Sequence, residues 1–373
     1  MEHMKGLVDS TLREGSQAVG VAFSLARKVA LARLLADIGI EEVEAGIAIP
    51  RDRELPELVH RCRDEAGVRR LALWCRCREE DIDCALALAP DVLSLSIPVS
   101  DLHMAVRLGR GRRAVLALAA EGMRRARPGV SCLSLGLEDA TRADRAFLGE
   151  MVQSACSLGV DRVRIADTVG VATPAAIASL VRDLRRAFPA MEIGVHMHND
   201  FGMASANAVA ALEAGAHWAD VTVLGLGERA GNSRLEEVAG HLALRCGRPY
   251  GVRLFRELAE SVAAWAGRRV EPHHPVVGTG IFACESGLHL AGLARDPHTY
   301  EPYEPALVGA SRRLLCGSKV GRRGLAERLR GLGLQWREDG TGELLDSFRE
   351  RCRLLGRPLH DREVLQLLAE QSS

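Results

Sequence analysis

The sequence predicts a TIM (β/α)8 barrel followed by a smaller, mainly helical C-terminal domain. Three observations carry this expectation. Eight short runs of strand-like character recur before residue 254, within the roughly 250 residues such a barrel occupies. Each is followed by a longer segment of helical character rich in Ala, Leu and Arg. No G-x-G-x-x-G follows the first run, which argues against a doubly wound, dinucleotide-binding sheet.

The first strand is read at "GLVDS" (from Gly6), with its helix at "LARKVALARLLADIG" (from Leu25). The second is "EEVEAG" (from Glu41), the third "RLALWC" (from Arg70) and the fourth "DVLSLSIP" (from Asp91). "VSCLSLG" (from Val130) and "DRVRIAD" (from Asp161) are the fifth and sixth. The helix after the sixth opens on Thr173 and Pro174, a hydroxyl N-cap before a proline whose missing N–H a first turn does not need. "EIGVHMH" (from Glu192) and "ADVTVLGL" (from Ala219) complete the eight. Around Leu254 the alternation gives way to helical and loop-rich sequence. The barrel is therefore assigned to residues 1–253 and the C-terminal domain to 254–373.

Composition narrows the function classes. With 49 basic against 49 acidic residues, no basic excess points to nucleic acid or to an anionic membrane surface. No apolar run is long enough to span a membrane, and the polar start "MEHMKGLVDST" does not read as a signal peptide. The ten cysteines lack a paired framework, and the C-x-C of Cys75 and Cys77 has no matching pair. Reduced thiols in a cytoplasmic enzyme fit this usage better than a structural zinc site.

In a barrel, chemistry belongs where strands run into the loops at their C-terminal ends. Five ends here are polar: "DSTLREGSQ", "EAG", "DTVG", "HMHND" and "GLGERAGN". Within "HMHND", His196 and His198 stand at i and i+2 of a strand and project to one face. Two imidazoles and a carboxylate, with positions left open, form a common catalytic metal arrangement. Glu14 is the carboxylate to pair with them, and Arg13 beside it offers a planar fork for a carboxylate or a developing enolate oxygen. Asp9, Gln17, Glu44, Asp167, Thr168 and Asn232 are expected around the same mouth.

Seven segments then carry a resemblance: "DSTLREGSQAVGVAFS", "VEAGIAIP", "LEDATRAD", "ADTVGVATP", "HMHNDFGMASANAVAALEAGA", "GLGERAGNSRLEEV" and "ESGLHLAGLARDPHTYEP". Together they resemble the DRE-TIM metallolyase superfamily and, within it, the homocitrate, isopropylmalate and citramalate synthases. The nearest likeness is to the homocitrate synthases of nitrogen-fixing bacteria. The resemblance implies a Claisen-type condensation of acetyl-CoA with a 2-oxo acid, here 2-oxoglutarate, and hydrolysis of the thioester. It implies a divalent cation (Mg, Mn, Fe, Co or Zn) held by Glu14, His196 and His198, with Asn232 on or near it. It implies a catalytic Arg13, a keto-acid pocket of Gln17, Glu44 and Thr168, and a catalytic pair, His289 and Tyr300, from the C-terminal lid domain. It further implies a homodimer exchanging lid domains, and small molecules as the other partners.

The sequence departs from the family pattern at several points. Ser16 replaces a common Glu, and Cys284 a His. Gly194 stands where several homocitrate synthases have Glu, and Ser134 where the lysine-pathway enzymes hold the distal carboxylate with Arg. These changes keep other readings open: a synthase for another 2-oxo acid, including a Re-type citrate synthase, a lyase of the reverse direction, or a non-catalytic paralogue.

Overall fold

The computed structural model describes residues 3–334 and 341–371. Eight parallel strands close into a barrel in sequence order: β1 (Gly6–Asp9), β2 (Glu42–Ile47), β3 (Leu71–Arg76), β4 (Val92–Pro98), β5 (Cys132–Glu138), β6 (Arg162–Asp167), β7 (Glu192–Met197) and β8 (Trp218–Val221). β1 pairs with β8 to complete the ring. All eight predicted strands are present. The eighth is shorter than its apolar run suggested, because Thr222 leaves the strand and Val223–Gly225 forms a 3-10 turn.

The helices between strands start and stop where local chemistry dictates. Ser24 caps Leu25–Ile38 by accepting from the Arg27 amide, and Gly39 ends that helix in the left-handed conformation at φ 95°. Thr173 caps Pro174–Ala187 through the Ala176 amide, as the Thr–Pro pair predicted. Strand residues that alternate outward, such as Leu133, Val163, Ile165, Ile193 and Val195, are fully buried. Each stabilises the fold by about 1.5–3 kcal/mol of transfer free energy.

The barrel interior is filled differently. Arg162 on β6 donates to Glu42 on β2 at 2.6 Å, and these strands lie on opposite sides of the ring, so the pair crosses the interior. One layer higher, Arg164 NH1 donates to Glu44 on β2 and to Asp220 on β8, both at 2.9 Å. Taking such charges out of water costs several kcal/mol per ion. The ladder therefore does less for stability than a hydrocarbon core would, but it fixes side-chain positions at the barrel centre.

Two compact units divide the chain, Met1–Val270 and Glu271–Ser373. The sequence placed the change at residue 254. The helix Phe255–Trp265 instead belongs to the barrel unit, since its buried face of Phe255, Leu258, Ala259, Val262 and Ala263 packs on the helix Leu25–Ile38. The second unit carries the helices Gly287–Arg295, Arg322–Gly331, Thr341–Leu355 and Asp361–Gln371, and a two-stranded sheet of Ala283–Cys284 and Arg313–Leu314. Val320, Leu325, Leu329, Phe348, Cys352 and Val364 lie in its core.

Candidate active site and metal centre

The loop after β1 is wound tightly by its own backbone. The Ser10 carbonyl accepts from the amides of Arg13 and Glu14 at 3.1 and 2.7 Å, which turns both side chains into the barrel mouth. Asp9 lies beneath this turn, accepting from the Thr11 amide and hydroxyl at 2.9 and 3.0 Å. Thr11 in turn accepts from the Val223 amide at 2.8 Å. Asp9 thus shapes the loop and does not line the cavity. Burial pushes its carboxyl up to about 7 despite the Thr11 bonds.

His196 is an inward residue of β7, and His198 lies just past the strand end, where it bridges Asn232. Their rings meet edge to face at 5.1 Å between centroids. Glu14 Oε1 is 3.6 Å from Nε2 of each histidine, and one donor atom from each of the three residues lies within 4.8 Å of the others. Ligands at about 2.1 Å from one ion stand roughly 3.0–3.4 Å apart, so the triad is close to a coordinating geometry. Among the described residues no other His/Cys/Asp/Glu group converges in this way.

The surroundings fit a cation as well. Asp220 Oδ2 lies 2.9 Å from His196 Nδ1, which orients the ring with Nε2 toward Glu14, as second partners of metal-binding histidines do. Asn232 Nδ2 donates to the Leu226 carbonyl at 3.0 Å, while its Oδ1 is buried without a hydrogen-bond partner, an oxygen left over for a ligand. Burial alone would raise the Glu14 carboxyl, but Arg13 and the two histidines hold it well below the usual carboxylate range. Burial and the neighbouring His196 push His198 down to about 3, the neutral form a metal needs. His196 is disfavoured as a cation by burial, yet Asp220 and Glu14 raise it above its ordinary value.

Arg13 is held from two sides, by Nε on Glu44 and NH1 on Glu14, and stands 5.6 Å from the centroid of the Trp74 ring. Gln17 donates to Glu14 at 3.0 Å. Arg13, Glu14, Gln17, Thr168, His196 and His198 all line one cavity of about 360 Å³. Thr168 Oγ1 accepts from the Asp139 amide at 2.8 Å, leaving its hydroxyl hydrogen to donate. Besides Asp9, two further expected neighbours stand elsewhere. Glu44 is fully buried below the cavity wall, its oxygens taken by Arg13 and Arg164. Asp167 ties its own loop, accepting from the Thr141 hydroxyl at 2.7 Å and from the Val171 and Ala172 amides.

The reading by motifs missed Arg164 and Asp220, which join Arg13 to His196 through Glu44. The signal was there: charges at i and i+2 in "DRVRIAD" and "EEVEAG" put a charged face inside the barrel. Of the departures, Ser16 donates to the Leu12 carbonyl at 2.8 Å, and Cys284 is half-buried in the small sheet. Gly194 faces Arg162, Arg164 and Trp218, with an added Cβ at ordinary contact distance from all three. His289 and Tyr300 belong to the second unit, where their rings stand edge to face at 4.2 Å and both are exposed. No helix among the described residues is long and apolar enough to cross a membrane.

Comparison with known proteins identifies the family. Residues 5–256 match the HMGL-like family, and residues 276–353 match the homocitrate synthase post-HMGL domain-like family. The chain is 37% identical over 363 residues to 2-isopropylmalate synthase 2 of Caldanaerobacter subterraneus subsp. tengcongensis, covering 97% of this chain and 94% of that one. It is 42% identical over 328 residues to the homocitrate synthase of Frankia alni, covering 84% and 90%. The hydroxymethylglutaryl-CoA lyase of Pseudomonas aeruginosa shares the fold, with a TM-score of 0.64 at 20% identity over 71% of this chain and 94% of that one. The chain belongs to the HMGL-like family of the DRE-TIM metallolyases, among the condensing acyltransferases that include the homocitrate and 2-isopropylmalate synthases.

Proposed function

We propose that this protein is a homocitrate synthase, condensing acetyl-CoA with 2-oxoglutarate and releasing homocitrate and CoA, in the service of nitrogenase cofactor synthesis. The observation that carries the reading is the convergence of Glu14, His196 and His198 beside a cavity lined by three arginines, Arg13, Arg107 and Arg164. Glu14, His196, His198 and the free oxygen of Asn232 would hold a divalent cation, which would supply Lewis-acid polarisation of the keto group and a template for the 2-oxo acid.

The chain's own residues do the rest. Arg13 keeps Glu14 ionised and presents its remaining N–H groups to the oxygen where charge develops. Gln17 holds Glu14 in place, and Thr168 donates its hydroxyl to the carboxylate of the 2-oxo acid. Glu44 acts by orienting Arg13. His289, edge to face with Tyr300, takes a proton from the acetyl methyl group. The resulting carbon nucleophile bonds to the keto carbon as the C=O π pair moves onto oxygen, which takes up a proton to become the hydroxyl; water then adds to the thioester carbonyl and CoA leaves as the thiol. The lid is the unit Glu271–Ser373, and this reading takes its catalytic pair to act within a homodimer, in the cytoplasm.

The test is product formation followed by mass spectrometry, with acetyl-CoA and 2-oxoglutarate, oxaloacetate, pyruvate or 2-oxoisovalerate, with Mg or Mn and with chelator. Metal-dependent homocitrate from 2-oxoglutarate is the expected result. Isopropylmalate from 2-oxoisovalerate, the reading favoured by the 2-isopropylmalate synthase likeness, would keep the mechanism and change the substrate. No product from any acid would overturn the assignment.

A further inference from the structure

Ser134, on β5, offers no cation to an acidic group of a substrate, and the structure shows where one stands. Ser134 is sealed in the lower layer of the barrel, its hydroxyl accepting from Arg162 Nε at 3.4 Å. Arg162 itself is committed to Glu42 and does not line the cavity. Arg164, two residues further along β6, does line it.

Only NH1 of Arg164 is engaged, by Glu44 and Asp220. The rest of its guanidinium has no protein partner among the described residues. The strand beside it contributes Gly136, the β-sheet neighbour of Arg164, and Ser96 and Ala166 complete a wall of small residues. Space and an unspent planar donor therefore coincide below the metal triad.

Electrostatics favours an anion there once the metal site is filled. Arg13 and Arg164 face the carboxylates of Glu14, Glu44 and Asp220, leaving one net negative charge, which a divalent cation reverses. The other cavity arginine, Arg107, is a weaker candidate. Its side chain is 49% exposed and paired with Glu138, whose second oxygen accepts from Ser96 at 2.8 Å, and an exposed cation gains little from such contacts.

We propose that the free face of Arg164 reads the acidic far end of the substrate, making this a site for 2-oxo dicarboxylates and not for branched 2-oxo acids. This rests on the proposed function for the identity of the 2-oxo acid site, but not on turnover. The test is calorimetric binding of 2-oxoglutarate and of its 5-methyl ester, with Mg present and without acetyl-CoA. The full-length protein is compared with its Arg164→Met, Arg164→Lys and Arg107→Gln variants. Wild type is expected to prefer the free acid over the ester by roughly 10- to 100-fold, the worth of one charged hydrogen-bonded contact. Arg164→Met brings that ratio near one, and Arg164→Lys restores part of it.

A purely structural role for Arg164 would weaken acid and ester together and leave the ratio standing, which would overturn the proposal. So would a collapse of the ratio in Arg107→Gln instead. Should an Arg164 variant fail to fold, the wild-type ratio alone decides, since no preference for the free acid would refute the idea. Binding selectivity without condensation would retain this inference and reject the reaction. Condensation of 2-oxoisovalerate without binding of 2-oxoglutarate would do the opposite.

Discussion

Replacing Asp220 by Asn keeps the size of the side chain and removes its charge at the point where the barrel ladder meets the metal triad. Asp220 Oδ2 serves two neighbours at 2.9 Å, His196 Nδ1 and Arg164 NH1. Burial alone would raise this carboxyl, but Arg164 and His196 hold it below its ordinary value, so it is ionised at neutral pH. An amide can present one oxygen to both neighbours only by placing its NH2 where Oδ1 now lies buried without a hydrogen-bond partner. His196 then loses a charged acceptor that orients the ring and raises its basicity. Loss of such a second partner weakens metal binding roughly 10- to 100-fold, about 1.4–2.8 kcal/mol. The assay is competition for Mn or Zn between the purified apo protein and a metal-binding dye. Glu42→Gln serves as control, since it removes an equally buried carboxylate one layer lower, on Arg162. Metal affinity within about twofold of wild type in Asp220→Asn would refute the reasoning. An equal loss in Glu42→Gln would refute it too, because the effect would then be general to the barrel.

Other expectations follow from single contacts. His289→Ala should lose turnover while keeping 2-oxo acid affinity in calorimetry; loss of that affinity would reassign the residue from proton transfer to binding. His196→Ala should abolish turnover and bound metal together, measured by elemental analysis, and near-normal activity would sink the metal assignment. Gly231→Ala should lower stability by at least about 2 kcal/mol in denaturant melts. Its φ of 85° disfavours any Cβ, which would also meet the Gly225 carbonyl oxygen at 1.8 Å; an unchanged midpoint would contradict that geometry. Asp9→Asn tests the buried carboxyl raised to about 7. Between its ordinary value and about 7 the folded state holds a proton that the unfolded state has released, so wild-type stability falls as pH rises. The stability of Asp9→Asn relative to wild type should therefore climb from about pH 4 to 7 and level off above it. A pH-independent difference between the two would show that the native carboxyl is ionised throughout.

Much of this architecture is legible along the chain because it is written in local patterns. Strand and helix alternation placed all eight strands, and the Thr173–Pro174 pair marked a helix start that the Ala176 amide bond completes. The H-x-H spacing put His196 and His198 on one side, because a strand repeats every two residues. Glu14 entered from a loop far away in sequence, by the chemistry of its type and the family motif around it. What sequence did not assign was which polar group faces a cavity and which supports another. Glu44 and Asp167 sit in motifs like those of Gln17 and Thr168, yet one is consumed by two arginines and the other by its own loop.

The alternation of strand and helix, the polar strand ends and the metal-binding residue types were determined by the sequence itself, because each depends on neighbours one to four positions away. Only the tertiary structure decided that Arg164 on β6 joins Glu44 on β2 to Asp220 on β8, and through them joins Arg13 to His196. It likewise decided that the helix Phe255–Trp265 completes the barrel unit. Such pairings arise when the ring closes and buries charges that must find one another across it. The free energy of an unpaired buried charge selects them, and no short window of sequence contains both members.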